Sequence, residues 1–307
     1  MTRAVMYSEF GDLDVLKLGE ADLLPMGPDT VRLKVAGAGI NPVDYKVMGG
    51  GLANAFEHHF PIVAGWDVAG EVLEVGPSVS EVSPGDRAYA YARLDVIQHG
   101  TMADEVVLPV RVVARAPETI DLVHAAAVPL TGLTAMQLLR RLDLHLDETV
   151  LVHNASGGVG QFAVQLARLA GARVIGTASA GNHEHLRSLG IEPVEYGDGM
   201  VEAVRALAPQ GVDVVVDLIG GVLDTSDVLL ARNARVGSIT DAKGALSRGG
   251  VYHFVRPSGE DLADLANLIN AGDLKVDLAG TYPFERAADA YRELQQGHVR
   301  GKLVLTP

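Results

Sequence analysis

Cysteine is absent from the 307 residues. That excludes disulfides, a thiolate nucleophile and any thiolate-ligated metal centre, and it fits a cytoplasmic setting. Basic charge is scarce: 25 Lys and Arg stand against 39 Asp and Glu, a formal net charge of −14. No basic tract offsets this, so neither nucleic acid nor an acidic membrane is an expected partner. Long apolar runs are missing too. The most apolar segment, Ala125 to Leu139, is interrupted by Pro129, Thr131, Thr134 and Gln137 and reads as a buried helix at a domain junction. Met1–Tyr7 carries one basic residue and no apolar stretch of signal-peptide length.

What is present supports a large core. The hydrophobic share is 48%, and 35 glycines imply many turns and close backbone approaches. The character of the chain changes near residue 120. Before it, short apolar runs (Thr30 to Val35, Gly65 to Val75, Gly85 to Tyr91, Glu105 to Leu108) alternate with turn signals such as Gly76-Pro77 and Pro84-Gly85-Asp86. Their spacing predicts a β-rich, partly barrel-like domain. After it, strand candidates at 149–152, 173–177, 193–196, 213–217, 235–239 and 250–254 alternate with helical patterns, which predicts a doubly wound parallel sheet. Helices are expected at 261–271 and 284–296, and a last strand at 302–305. No repeat or flexible linker is evident.

The densest signal is the segment from Val150 to Ala167: a short apolar strand, the turn Asn154-Ala155-Ser156-Gly157-Gly158-Val159-Gly160, then an amphipathic helix. A second strand follows, completing a βαβ unit. Such a turn lets backbone N–H groups approach a pyrophosphate at the positive end of the helix. Ser156, Gly157, Gly158, Val159 and Gly160 are therefore assigned to a dinucleotide. Ile219, Gly220 and Gly221 follow the fourth strand and are expected under the nicotinamide ribose, with Asp217 positioning that loop.

The second strand ends Gly176-Thr177-Ala178-Ser179-Ala180-Gly181-Asn182-His183, with no carboxylate until Glu184. An acid at this point would accept from the ribose hydroxyls of NAD; its absence removes a repulsion against a 2′-phosphate. Ser179, Asn182, His183 and Arg187 can donate to phosphate oxygens, so NADPH is the expected cofactor. The alternative is that Ser179 and Asn182 only cap the next helix.

Taken in order, several motifs point to one family: Ile40-Asn41-Pro42-Val43-Asp44-Tyr45-Lys46, Ile62-Val63-Ala64-Gly65-Trp66-Asp67-Val68-Ala69-Gly70, Gly85-Asp86-Arg87-Ala88, Pro129-Leu130-Thr131-Gly132-Leu133-Thr134-Ala135, the glycine turn, and Gly297-His298-Val299-Arg300-Gly301-Lys302. Over nearly its whole length the chain resembles the medium-chain dehydrogenase/reductase superfamily, in its zinc-independent quinone oxidoreductase and enone reductase branch. The resemblance implies a GroES-like catalytic domain of residues 1–120, completed by 258–307, and a Rossmann domain of residues 121–257, with the active site in a cleft. It also implies that Thr134, Phe254 and Val255 approach the nicotinamide and that Lys302 faces the cofactor phosphates.

Related alcohol dehydrogenases hold catalytic zinc through Cys, His and Cys or Asp, and often a second zinc through four Cys. This chain has no Cys, and where such relatives carry Gly-His-Glu it has Gly65-Trp66-Asp67. No metal is expected. The pair His58-His59 reads as a polar loop, and His183 and His185 as surface or phosphate-side residues. Without a Lewis acid, alcohol oxidation is difficult, while reduction of an activated C=C or a quinone stays feasible. Hydride would reach the β-carbon and a donor would support an enolate-like oxygen.

Asn41, Asp44 and Tyr45 are expected to border the cleft. Asn41 could bond the nicotinamide ribose or a substrate carbonyl; Tyr45 is the expected proton donor, with aromatic packing as its other reading. Asp44 reads as ordering the loop, and Trp66 as a substrate wall or core. The expected substrate is a small apolar carbonyl compound or quinone. A dedicated enoyl reductase of a biosynthetic pathway such as polyketide assembly, and a non-catalytic NADPH-binding sensor or structural protein, are the competing functions. The segment Gly250–Phe254 lacks the Lys or Pro that would guard an exposed sheet edge, so a homodimer is expected.

Overall fold

The computed structural model describes all 307 residues and divides into two units, residues 1–133 with 257–307 and residues 134–256. The first boundary falls later in the chain than the composition change near residue 120. The segment 121–133 stays with the first unit because it is bonded there: the Leu130 N–H donates to Asp67 Oδ1 at 2.8 Å, and a Cβ on Gly37 or Gly39 would collide with Val123 and Ala126.

The first unit is mainly antiparallel β. Its largest sheet runs Val113–Arg115, Arg87–Tyr91, Asp67–Val75, Thr30–Gly39, Lys302–Thr306, Leu278–Pro283, and Glu105–Pro109 also pairs with Thr30–Gly39. A smaller sheet orders Lys17–Ala21, Thr2–Tyr7 and Ile62–Val63. Alternation in Thr30–Gly39 explains its centrality: Val31, Leu33 and Val35 are buried on one face, while Arg32 and Lys34 point away. The chain then enters the helix Pro42–Met48 through Asn41, with Pro42 at the first helical position where its missing N–H costs nothing. Pro129 starts a second helix, Pro129–Arg141, and splits the predicted junction helix: Leu122–Ala125 is a separate short turn. Thr2–Tyr7, Lys17–Ala21 and Leu278–Pro283 were not anticipated as strands.

The second unit is a six-stranded parallel sheet. In chain order its strands are Thr149–Val152, Arg173–Ala178, Glu192–Glu195, Val212–Asp217, Leu230–Ser238 and Val251–Tyr252. In space they lie third, second, first, fourth, fifth, sixth. The central strands read as continuous apolar runs because helices cover both faces: Val150, Leu151 and Val152, then Val214, Val215 and Val216, are fully buried. The sixth strand is only two residues long, so Phe254 and Val255 lie beyond it rather than on it. The order reverses between the first and fourth strands, and ligands of such sheets bind beyond the carboxyl ends at that switch point. No helix of the chain is long and apolar enough to cross a membrane.

Gly39 tests the packing of the first unit. A Cβ there would sit 2.4 Å from the Ala126 carbonyl oxygen and 3.1 Å from Asp67 Cβ. Gly39→Ala is expected to lower stability by about 2–3 kcal/mol, whereas Gly181→Ala, with nothing within 4 Å, should fall within about 0.5 kcal/mol of the parent. Urea midpoints of the two variants check this.

Candidate functional site

The glycine turn leaves the first strand of the parallel sheet at the switch point. Asn154 adopts a left-handed conformation (φ 60°), which a residue with a short polar side chain tolerates. Its N–H donates to Thr177 Oγ1 at 3.1 Å, and the Ala155 N–H to the Thr177 carbonyl at 2.9 Å, so the turn is laced to the end of the second strand. A Cβ at Gly160 would lie 2.1 Å from the Asn154 carbonyl oxygen; only glycine lets the helix Gly160–Leu169 start so close to its strand. Val159 occupies the N-cap and no side chain caps this N-terminus. Its positive end is thus open to an anion.

His153 lies directly beneath the turn, 2% exposed. Its Nε2 is 2.8 Å from Ser226 Oγ, whose own hydrogen goes to the Val222 carbonyl at 2.8 Å. Nε2 must therefore be the donor, leaving Nδ1 to accept from Thr177 Oγ1 at 3.4 Å. Burial disfavours the imidazolium and pushes the His153 pKa down to about 4, against a smaller opposing effect of Asp217.

Asp217 closes the other side of the switch point. Oδ1 accepts from the N–H groups of Ile219 (3.0 Å) and Gly220 (2.7 Å), and Oδ2 from Ser238 Oγ at 2.7 Å. Gly220 and Gly221 have φ of 87° and 73°, and Ile219 is 58% exposed. Fully buried, Asp217 shapes the loop and presents Ile219 outward; it is a positioning group.

Beyond the second strand, Asn182 Nδ2 donates to both Ser156 Oγ and Ser179 Oγ at 3.2 Å. This joins the glycine turn to the stretch without a carboxylate. Neither Ser179 nor Asn182 makes a side-chain cap, so the capping alternative has no bond to support it. His183 Nε2 is 3.3 Å from the Ala178 carbonyl, and Arg187 is exposed on the following helix. Thr134 is buried in the helix Pro129–Arg141; Phe254 is 41% exposed and Val255 buried.

The first unit holds a separate buried polar cluster. Lys302, expected at the cofactor phosphates, instead points inward at 4% exposure. Its Nζ donates to the Ile40 carbonyl at 2.5 Å and to Asn41 Oδ1 at 2.6 Å, and lies 3.7 Å from Asp67 Oδ2. A buried ammonium needs acceptors on every side, and these surround it. Asn41 is equally committed: Nδ2 donates to Asp67 Oδ2 at 2.9 Å, and its backbone N–H to Asp44 Oδ2 at 2.8 Å. Lys302 thus holds its Oδ1 and Asp67 one of its two Nδ2 hydrogens, and the residue is fully buried. Tyr291, which sequence reasoning missed, donates its hydroxyl to Asp44 Oδ2 at 3.0 Å. Its only signal was an aromatic on the buried face of a helix far along the chain.

Tyr45 is half-buried, edge-on to Tyr291 at 6.4 Å, and burial with the neighbouring Asp44 charge raises its hydroxyl pKa. Trp66 is 5% exposed and edge-on to Tyr91; with Tyr7, Asp44, Ile97 and Tyr291 it lines a narrow cavity. Burial raises Asp44 to about 7 and Asp67 to about 6, and lowers Lys302. No group of three or more His, Cys, Asp or Glu side chains is arranged to hold a metal ion.

Two family models match: the alcohol dehydrogenase GroES-like domain over residues 27–118 and the zinc-binding dehydrogenase domain over residues 189–305. The chloroplastic NADPH-dependent alkenal/one oxidoreductase of Arabidopsis thaliana is 34% identical over 99% of this chain and 79% of its own length. Among solved structures, the quinone oxidoreductase of Coxiella burnetii superposes with a TM-score of 0.88 at 30% identity, covering 100% of this chain and 99% of its own. A mycobacterial protein complexed with NADPH superposes with a TM-score of 0.83 at 27% identity, covering 100% of both chains.

His153 gives a pH prediction. Its folded pKa is depressed, so between about pH 6.5 and 4 the unfolded chain binds the proton and the folded chain does not. Through His153 the stability of the 134–256 unit should fall as pH falls across that window, by about 3 kcal/mol at its lower end. His153→Asn should remove that share and leave the share of His253, whose pKa burial also pushes down to about 4. Hydrogen exchange of the Thr149–Val152 strand from pH 4 to 7 reads it.

Proposed function

Because the chain belongs to the medium-chain dehydrogenase/reductase superfamily, in its zinc-independent quinone and enone oxidoreductase branch, we propose that it reduces quinones or α,β-unsaturated carbonyl compounds with NADPH. The observation that carries this reading is the polar floor at the switch point. There an uncapped helix N-terminus, the Ser156–Asn182–Ser179 bonds and the lack of any carboxylate before Glu184 suit a cofactor bearing an extra phosphate.

The reduced nicotinamide supplies the hydride. The residues of this chain bind and orient: Ser156 to Gly160 hold the pyrophosphate, Ser179, Asn182 and His183 the 2′-phosphate with Arg187 alongside, and the Ile219–Gly220 loop the nicotinamide ribose. Thr134, Phe254 and Val255 serve the nicotinamide, and Tyr45 and Trp66 the substrate. Lys302 and Asn41 act from within the first unit by fixing Asp67. A zinc-dependent route is disfavoured by the residues themselves. Trp66 stands where zinc-binding relatives have His, and the Asp67 carboxylate already accepts from Asn41 and the Leu130 N–H beside the Lys302 ammonium. A homodimer through the sheet edge at Val251–Tyr252 and a cytoplasmic location complete the reading; neither Lys nor Pro guards that edge.

Steady-state kinetics with a panel of enones and quinones test it. The kcat/KM with NADPH should exceed that with NADH by at least about tenfold, and Ser179→Asp should cut the NADPH value by about 10–100-fold through like-charge repulsion. Equal use of NADH by the parent, or an unaffected Ser179→Asp variant, would contradict the assignment of this loop.

A further inference from the structure

A buried carboxyl oxygen in the first unit has no partner. Asp44 is 8% exposed. Its Oδ2 accepts from the Asn41 N–H at 2.8 Å and from the Tyr291 hydroxyl at 3.0 Å, while Oδ1 accepts from nothing. Asp44 lines the cavity bounded by Tyr7, Val47, Met48, Trp66 and Tyr291. That cavity admits a group about the size of one water molecule, which is the size of a carbonyl oxygen and not of a ring.

The charges around Asp44 decide where its proton sits. Facing it are Tyr7 from the first strand, Tyr45 on its own helix, Tyr291 from the helix Ala287–Gln295, and Asp67 and Lys302. The three phenols are neutral, since burial raises all of them. Lys302 is the one cation; it bonds Asn41 and Ile40 and lies against Asp67, so Asp67 balances it. An ionised Asp44 would leave a net negative charge with a bare oxygen among apolar walls, which burial strongly disfavours. With Oδ2 filled by two donors, the proton belongs on Oδ1.

We propose that Asp44 is the acid of the reduction, its Oδ1–H meeting the substrate carbonyl or quinone oxygen in this cavity. The role rests on the reductase reading above. As hydride adds to the conjugated carbon, electron density moves to the carbonyl oxygen. The Oδ1–H bond breaks, the new O–H bond forms on the enolate oxygen, and the bonding pair stays on the Asp44 carboxylate. Solvent then reprotonates Asp44, and an enol product tautomerises to the saturated ketone. The arrangement selects a ligand whose oxygen is a hydrogen-bond acceptor and disfavours carboxylates, whose charge the cluster cannot balance. Burial raises the Asp44 pKa to about 7, so the acid form is lost above neutrality.

Asp44→Asn tests this in the full chain. The amide keeps the shape of a protonated carboxyl: its oxygen accepts from Asn41 and Tyr291, and its NH2 replaces the O–H without being able to transfer a proton. The expected result is a loss of about 100-fold in kcat, NADPH affinity within about twofold of the parent, and disappearance of the fall in kcat above about pH 7. A readout independent of turnover is the infrared C=O band of a protonated carboxyl in the protein without NADPH. The parent-minus-Asp44→Asn difference, in which the Asp67 carboxyl cancels, should show it at pH 6.5 and lose it as pH rises well above 7. An Asp44→Asn variant with kcat within about threefold of an active parent, or no such difference band at pH 6.5, would overturn the role of Asp44 alone. A parent that binds NADPH but reduces no enone or quinone would overturn the reductase reading, and this role with it.

Discussion

An ammonium group has no water to solvate it inside the first unit, so the surrounding backbone and side chains must take that place. Lys302 draws in the Ile40 carbonyl, Asn41 Oδ1 and the Asp67 carboxylate. These acceptors come from two separate pieces of chain, and the ammonium from a third. Ile40 and Asn41 end the long strand Thr30–Gly39 and enter the helix Pro42–Met48, Asp67 begins the strand Asp67–Val75, and Lys302 opens the last strand of the sheet. Asp67 then takes the Leu130 N–H at the start of the helix Pro129–Arg141. One buried cation therefore ties together five elements. It also sets the protonation of its neighbours, because it can balance one carboxylate and not two.

The second unit solves a similar problem without charge. Under the glycine turn an imidazole is kept neutral by burial and its two nitrogens are given one donor and one acceptor, Thr177 and Ser226. Asp217 is buried as well, but its oxygens are filled by backbone N–H groups and Ser238, an arrangement suited to holding a loop. The two sides of the switch point are thus rigid by hydrogen bonding, while the helix N-terminus between them is left uncapped. A phosphate-binding surface needs that combination of fixed backbone and unfilled positive potential.

Much of this was legible from residue order. The parallel sheet appeared as apolar runs separated by helical patterns, and the glycine turn announced itself by its place between a strand and a helix. Lys302 shows where legibility ends. A lysine after a glycine turn reads as a charge free to face the cofactor phosphates, because the pattern contains no trace of acceptors that arrive from residues 40, 41 and 67. Asn41 makes the same point: at a strand end it looks unengaged, while in the fold its Oδ1 is held by Lys302 and one Nδ2 hydrogen by Asp67. The strands Thr2–Tyr7 and Leu278–Pro283 were missed because their alternation is interrupted by polar and glycine positions, and pairing with distant strands, not local pattern, makes them. Tyr291 reaches Asp44 across 247 positions, a contact that only the fold creates.

The dependence of the first unit on Lys302 is most directly tested by a double-mutant cycle in urea with Lys302→Met, Asp67→Asn and the two combined. Lys302→Met alone leaves the Asp67 carboxylate buried without a counter-charge and should cost about 3–5 kcal/mol. Asp67→Asn in the same chain should recover much of that loss, giving a coupling of about 2 kcal/mol or more. Strictly additive effects, within about 0.5 kcal/mol, would mean that the ammonium and the carboxylate are independent, and that the buried cation does not organise this part of the fold.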